Sequence, residues 1–134
     1  MTPQKSEQAQ GRWFESNYVI KFLLYISYMN EETYSQAGQD LFVMNVLGYP
    51  KNGYFIDIGC NDPDIDNNTR LLEDFDWTGI SFDFYEFRNF SERRKCKFIL
   101  GDATKHDYKF IFESSSVPKV IDYLSIDIDA LSLV

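Results

Sequence analysis

Cysteine, histidine and phosphate-binding loops are scarce or missing in this chain, and each shortage removes a class of function. The two cysteines, Cys60 and Cys96, show no metal-type spacing and form no disulfide framework, which points to free thiols in a reducing cytoplasm. The single histidine, His106, lies far from Cys60 in sequence, so a Cys–His nucleophile has little support and Cys60 reads as a small buried filler. Neither a full Gly-x-Gly-x-x-Gly nor a phosphate-loop lysine is present, which removes the usual cradles for nucleotide phosphates. Long hydrophobic runs are lacking as well. The most apolar stretch, Tyr18 to Met29, is interrupted by Lys21 and Ser27 and is shorter than the ~20 residues of a membrane span. The N-terminal residues are polar, without the apolar core of a secretory leader. Positive charge is in deficit too: a net charge of −8 argues against a nucleic-acid backbone or an anionic membrane surface as the main partner.

What the chain does have is enough apolar material for one packed domain. It is 134 residues long, 44% hydrophobic and 17% aromatic. The expected layout is a tail and apolar helix in residues 1–30, then a domain over 31–134. Trp13 to Met29 reads as a helix that is apolar around most of its circumference. Burial against the domain or against a partner chain suits it better than a membrane interface, because its flanks lack a Lys/Arg face.

From there the pattern alternates. Thr33 and Gln36 have capping-box spacing, with Ser35 as a second possible cap, and the run Leu41 to Leu47 stops at Gly48-Tyr49-Pro50. The Ser35-Gln36-Ala37-Gly38-Gln39-Asp40 cluster carries more amides than capping needs, which leaves a ligand-facing role open. Tyr54 to Ile58 reads as a buried parallel strand running into the turn Gly59-Cys60-Asn61-Asp62-Pro63. Asn68 to Phe75 is helical in spacing, Ile80 to Phe84 a second strand, Arg88 to Lys95 a basic helical segment, and Lys97 to Leu100 a third strand. Residues 105–117 are mixed, with Ser114-Ser115-Ser116 and Pro118 as loop signals. Val120 to Asp129 reads as a fourth strand, on which Asp127 and Asp129 share a face. Successive strand–helix units predict an α/β fold with a parallel sheet. With no helix to cover the fourth strand, the sheet reads as unfinished: either a fragment, or a domain completed by a second chain.

Acids stand at all four predicted strand ends: Asp57, Asp83, Asp102, and Asp127 with Asp129. In a parallel sheet those ends share one edge, so the carboxylates converge on one crevice. A pyrophosphate is repelled there, whereas a cation bearing a ribose diol is welcome. S-adenosylmethionine has both features and no phosphate. Asp83 follows Asp57 at close to the ~20-residue spacing at which a carboxylate accepts ribose hydroxyls in dinucleotide folds. Asp102 then falls near the adenine edge, and the Gly59 turn allows backbone approach to the methionine part.

Several stretches in one order resemble the FkbM family of S-adenosylmethionine-dependent methyltransferases. They are Tyr34-Ser35-Gln36-Ala37-Gly38-Gln39-Asp40-Leu41-Phe42, Gly53 to Pro63, Asn68-Thr69-Arg70-Leu71-Leu72-Glu73, Trp77-Thr78-Gly79-Ile80 and Ile121 to Asp129. The resemblance covers residues 33–134. It implies a Rossmann-like sheet, of which about four strands are present, and methyl transfer to a hydroxyl of a sugar, lipid-linked or natural-product acceptor. By position it implies that Asp57, Gly59, Asn61, Asp83 and Asp102 bind the cofactor and that Asp127 and Asp129 face the methyl and the acceptor. Two local departures stand out: Asp83-Phe84 where the family commonly has Glu-Pro, and Asp129-Ala130 where it has Glu-Gly. Two other readings remain. One is a non-catalytic module that pairs, as a homo-oligomer or with a completing chain, through the Trp13–Met29 helix and the fourth strand. The other is a calcium loop, since Asp62, Asp64, Asp66 and Glu73 have the spacing of such a site. The preceding strand, where an entering helix belongs, disfavours it.

Overall fold

Tyr54–Ile58 forms β1, one of the two central strands of the sheet, and hydrogen-bonds to a parallel neighbour on each side. The structure, a computed structural model, describes residues 33–128. The Trp13–Met29 helix and Asp129 lie outside the described residues. In chain order the elements are α1 (Gln39–Leu47), β1, α2 (Arg70–Glu73), β2 (Thr78–Asp83), α3 (Phe90–Arg93), β3 (Lys97–Leu100), α4 (Tyr108–Ser114) and β4 (Tyr123–Ile126). The sheet is four-stranded and parallel throughout, in the order β3-β2-β1-β4. This is the expected α/β architecture.

The pleat assigns alternate residues of β1 to opposite faces. Phe55 points into a core with Met44, Leu72, Trp77 and Phe90, beneath α1, α2 and α3. Ile56 points the other way, into a smaller cluster with Ile80 and Phe82, packed by Tyr108, Ile111 and Phe112 of α4. Trp77 anchors the larger core, and its indole N–H donates to the carbonyl of Pro50 at 2.7 Å.

Several local expectations change. The Thr33–Gln36 capping box does not form. Instead the buried carboxylate of Asp40 gathers the Thr33 and Ser35 hydroxyls and the N–H groups of Tyr34, Ser35 and Leu41. A carboxylate that accepts several donors outcompetes a single glutamine. Helix α1 then starts after Gly38 in a left-handed conformation, with no side-chain cap of its own, and stops at Gly48 as the glycine signal predicts. The second strand begins at Thr78, earlier than its apolar run, because Gly79 leaves room for the Phe55 ring and carbonyl. The fourth strand is shorter than Val120 to Asp129. Before it, the Asp122 carboxylate accepts the Tyr54 N–H at 2.8 Å, while the Asp122 N–H donates to the Tyr54 carbonyl. Residues 105–117 contain α4, whose N-cap is Asp107, accepting from the Phe110 N–H at 3.0 Å.

Candidate functional site

Strands β1, β2 and β3 step outward in one direction, and β4 then returns to the other side of β1. The reversal lies between β1 and β4, and crevices at the carboxyl ends of strands form at such points. A cavity of about 820 Å³ opens there, within the ~300–1,000 Å³ typical of small-molecule sites. Asp57, Gly59, Asn61, Asp83, Asp102 and Asp127 all line it.

The turn after β1 is held from several sides. Gly59 has φ +86°, and both its N–H and that of Cys60 donate to the Phe82 carbonyl at 2.8 and 3.1 Å. A Cβ on Gly59 would stand 2.1 Å from the Asp127 carbonyl oxygen, so the glycine is required first by the close approach of β4. Asn61, also left-handed at φ +54°, points its N–H at Asp83 Oδ2, 2.7 Å away. The other Asp83 oxygen accepts the Phe84 N–H at 2.7 Å, so backbone donors aim this carboxylate.

Asp57 is the exceptional member. It is fully buried, its Oδ2 accepts the Thr69 hydroxyl at 3.0 Å, and its Oδ1 has no partner. Burial pushes its carboxyl up to about 6, against the downward pull of Thr69, Ser125 and Arg94, with nearby Asp83 adding to the rise. Behind it lies a polar network that the sequence reading missed. Arg94 and Glu73 are both buried, with Arg94 Nε 3.0 Å from Glu73 Oε2 as an ion pair without hydrogen-bond alignment. Arg94 also donates to the Pro63 carbonyl, to Asn67 Oδ1 and to Thr69 Oγ1. Glu73 accepts the Cys96 N–H at 3.0 Å, which ties the start of β3 to the same group.

The opposite wall is open. Asp102 binds the hydroxyl and N–H of Thr104 through Oδ1, and these bonds hold its carboxyl below its ordinary range. Phe84, Tyr85 and Phe87 form an exposed edge-to-face series along the rim. Gln36 reaches the cavity from the amide cluster before α1, while Ser35 and Asp40 of the same cluster serve the loop itself. Among the described residues, Lys105 is the one cation of the lining.

Two other candidates have structural roles. Burial, reinforced by Asp57 and Asp83, pushes the Cys60 thiol far up, so it stays protonated as a filler. His106 packs against Phe82 and Tyr108 and behind Gly101, backing the cavity wall without being one of its lining residues. In the acidic loop, Asp62 pairs with Arg88, and Asp64 with Arg70 and Arg93. Among the described residues no three metal-ligating side chains gather, and no helix is long and apolar enough to cross a membrane. Comparison with family models, with curated proteins and with solved structures finds no match to this chain.

Proposed function

We propose that the chain binds S-adenosylmethionine in the switch-point cavity of a Rossmann-like sheet and acts as a methyltransferase toward a hydroxyl-bearing acceptor. The observation that carries this reading is Asp57, a buried residue of the cavity lining whose Oδ1 has no hydrogen-bond partner. An orphaned buried carboxylate oxygen asks for a donor, and a cationic donor satisfies it best. The remaining lining agrees: among the described residues, four more carboxylates (Asp66, Asp83, Asp102 and Asp127) against Lys105 alone select for a cation and against phosphate. When bound, the cofactor supplies a methyl group on a sulfonium, which becomes a neutral thioether after transfer.

The chain's own residues then divide the work. Asp57 and the Gly59–Asn61 turn hold the ammonium end, Asp83 accepts from the ribose diol with the lone pairs its backbone donors leave free, and Asp102 sits toward the base. Asp127 is the described residue that stands to accept the acceptor's hydroxyl proton, and Asp129 is the second candidate for that role. Alignment is the main catalytic resource, worth up to ~7–11 kcal/mol in the best cases. A second reading, a non-catalytic pairing module, is favoured by one observation: Leu124 and Ile126 of β4 are exposed.

Calorimetry with S-adenosylmethionine and with NAD, titrated separately, tests the proposal. Binding of S-adenosylmethionine that weakens at least ~10-fold in Asp57→Ala and Asp83→Ala is expected, from the loss of a charge-assisted hydrogen bond in each. Binding of NAD alone sinks the reading. Concentration-dependent dimers with no cofactor binding move the balance to the pairing module.

A further inference from the structure

The network behind the cavity contains a hydrogen-bond order that can be worked out atom by atom. Asn67 Nδ2 donates to two carbonyls, those of Cys60 at 3.0 Å and Asp62 at 2.9 Å, which fixes the orientation of its amide. Asn67 Oδ1 therefore faces the donors, and it accepts the Thr69 N–H at 3.0 Å and Arg94 Nη1 at 2.9 Å. Both lone pairs of that oxygen are then in use. The Thr69 hydroxyl accepts Arg94 Nη2 at 3.1 Å, and its own proton has two acceptors in reach, Asn67 Oδ1 at 3.2 Å and Asp57 Oδ2 at 3.0 Å. Only Asp57 Oδ2 has capacity left.

We infer that Arg94, buried outside the cavity lining, is the positioning residue of the cation site: it saturates Asn67 and Thr69 from behind, commits the Thr69 proton to Asp57 Oδ2, and so leaves Oδ1 as the acceptor for the ligand. That last role rests on the cofactor reading above; the hydrogen-bond order itself does not. The arrangement is charge-assisted at both ends, since a guanidinium feeds the hydroxyl and a carboxylate receives it. Glu73 keeps the guanidinium in place through the ion pair at 3.0 Å. On the other side of Asp57, the Ser125 hydroxyl of β4 accepts Asn68 Nδ2 at 3.3 Å; it draws the Asp57 carboxyl downward but makes no hydrogen bond to Oδ1.

The groups that bear on Asp57 electrostatically are Arg94 from the end of α3, Asp83 from β2, Cys60 at its own strand end and Tyr123 from β4. Among neutral groups, the Thr69 hydroxyl donates to Asp57 and the Ser125 hydroxyl lies near it. Loss of the Arg94–Thr69 chain removes support only from the ionised carboxylate, so it moves the protonation midpoint of Asp57 upward.

The test is a 13C NMR titration of the Asp57 carboxyl in the full, unliganded chain, with the resonance assigned by its loss in Asp57→Asn. The wild-type midpoint is expected near 6. In Thr69→Val it rises by about one pH unit or more, a roughly tenfold change in proton affinity, whereas Thr69→Ser restores the wild-type midpoint. Arg94→Met combined with Glu73→Gln, which avoids stranding a buried charge, gives the same rise. An unchanged midpoint in Thr69→Val overturns the inference, and so does an unchanged midpoint in a folded Arg94→Met/Glu73→Gln chain. Should the double variant not fold, the Thr69 pair decides alone. Calorimetry with S-adenosylmethionine on the same proteins separates the two claims. A wild-type chain that does not bind it, yet shows the Thr69-dependent midpoint, removes the cofactor reading and keeps the role of Arg94.

Discussion

The two faces of the sheet are finished to different degrees. On the α1–α3 face, Phe55, Met44, Leu72, Trp77 and Phe90 are fully or almost fully buried, and a closed polar network lies among them. On the α4 face, Ile56, Ile80 and Phe82 are buried, yet none of the residues of α4 is. Towards β4 that face becomes bare: Leu124, opposite Ile56, is 51% exposed, and Ile126, opposite Ile58, is 62% exposed. The candidate site is built from the finished face. Asp57, Ser81 and Ser125 occupy neighbouring register positions on it, and the residues that aim Asp57 come from α2 and the end of α3. The buried polar chemistry is placed where packing is tight enough to orient it, while the loop ahead of α4 adds only the open Asp102–Lys105 wall.

The sharpest way to break this contrast is a pair of deletions. Trp77→Ala on the finished face is expected to cost about 3–5 kcal/mol, and Ile111→Ala under α4 about 1–2 kcal/mol, because Ile111 is only half-buried. Urea unfolding measures both, and equal losses would mean the faces are energetically alike.

Asp57→Asn tests the same face from its polar side. The folded carboxyl titrates near 6 against an ordinary 3.8, so the folded chain holds this proton more tightly than the unfolded one. The stability linked to that proton is fully present below pH 4 and is lost as pH rises through 6. The variant is therefore expected to be more stable than wild type at pH 8, by up to about 2–3 kcal/mol, and no more stable below pH 4. Thermal unfolding across that range checks it, and a gain that does not change with pH would show that burial is not the cause.

The smallest effect belongs to the bare end. Ile126→Thr is expected to stay within about 0.5 kcal/mol of wild type in the same urea assay. A loss as large as that of Ile111→Ala would mean that this strand face is covered.

How far the sequence could be read follows the same division. β1 and β3 stand where their apolar runs stand, since a buried parallel strand carries its signal in consecutive residues. The convergence of Asp57, Asp83, Asp102 and Asp127 on one cavity was legible because parallel strands place their ends together. Helix α4 was not, because Tyr108, Phe110, Ile111 and Phe112 are mediocre helix formers and the serines after them mimic a loop. Its one usable signal was Asp107, in capping position ahead of the Phe110 N–H. The Arg94–Glu73 pair had no local signature at all. The two are far apart in sequence, and each looks like a surface charge until the turn between β1 and α2 folds over them. Gly59 was read as clearance for a ligand, whereas its nearest constraint is the Asp127 carbonyl.

That contact sets an order of events. The turn after β1 reaches its final shape only against the segment that follows β4, the last of the described strands, and Tyr54 likewise waits for the Asp122 carboxylate to complete its backbone bonding. Both closures span most of the described chain, and such long-range parallel pairings form late and slowly. During synthesis the chain therefore carries an open, half-shaped crevice until β4 arrives. The site is assembled when β4 docks, and any change that slows β4 delays binding competence before it alters the finished structure.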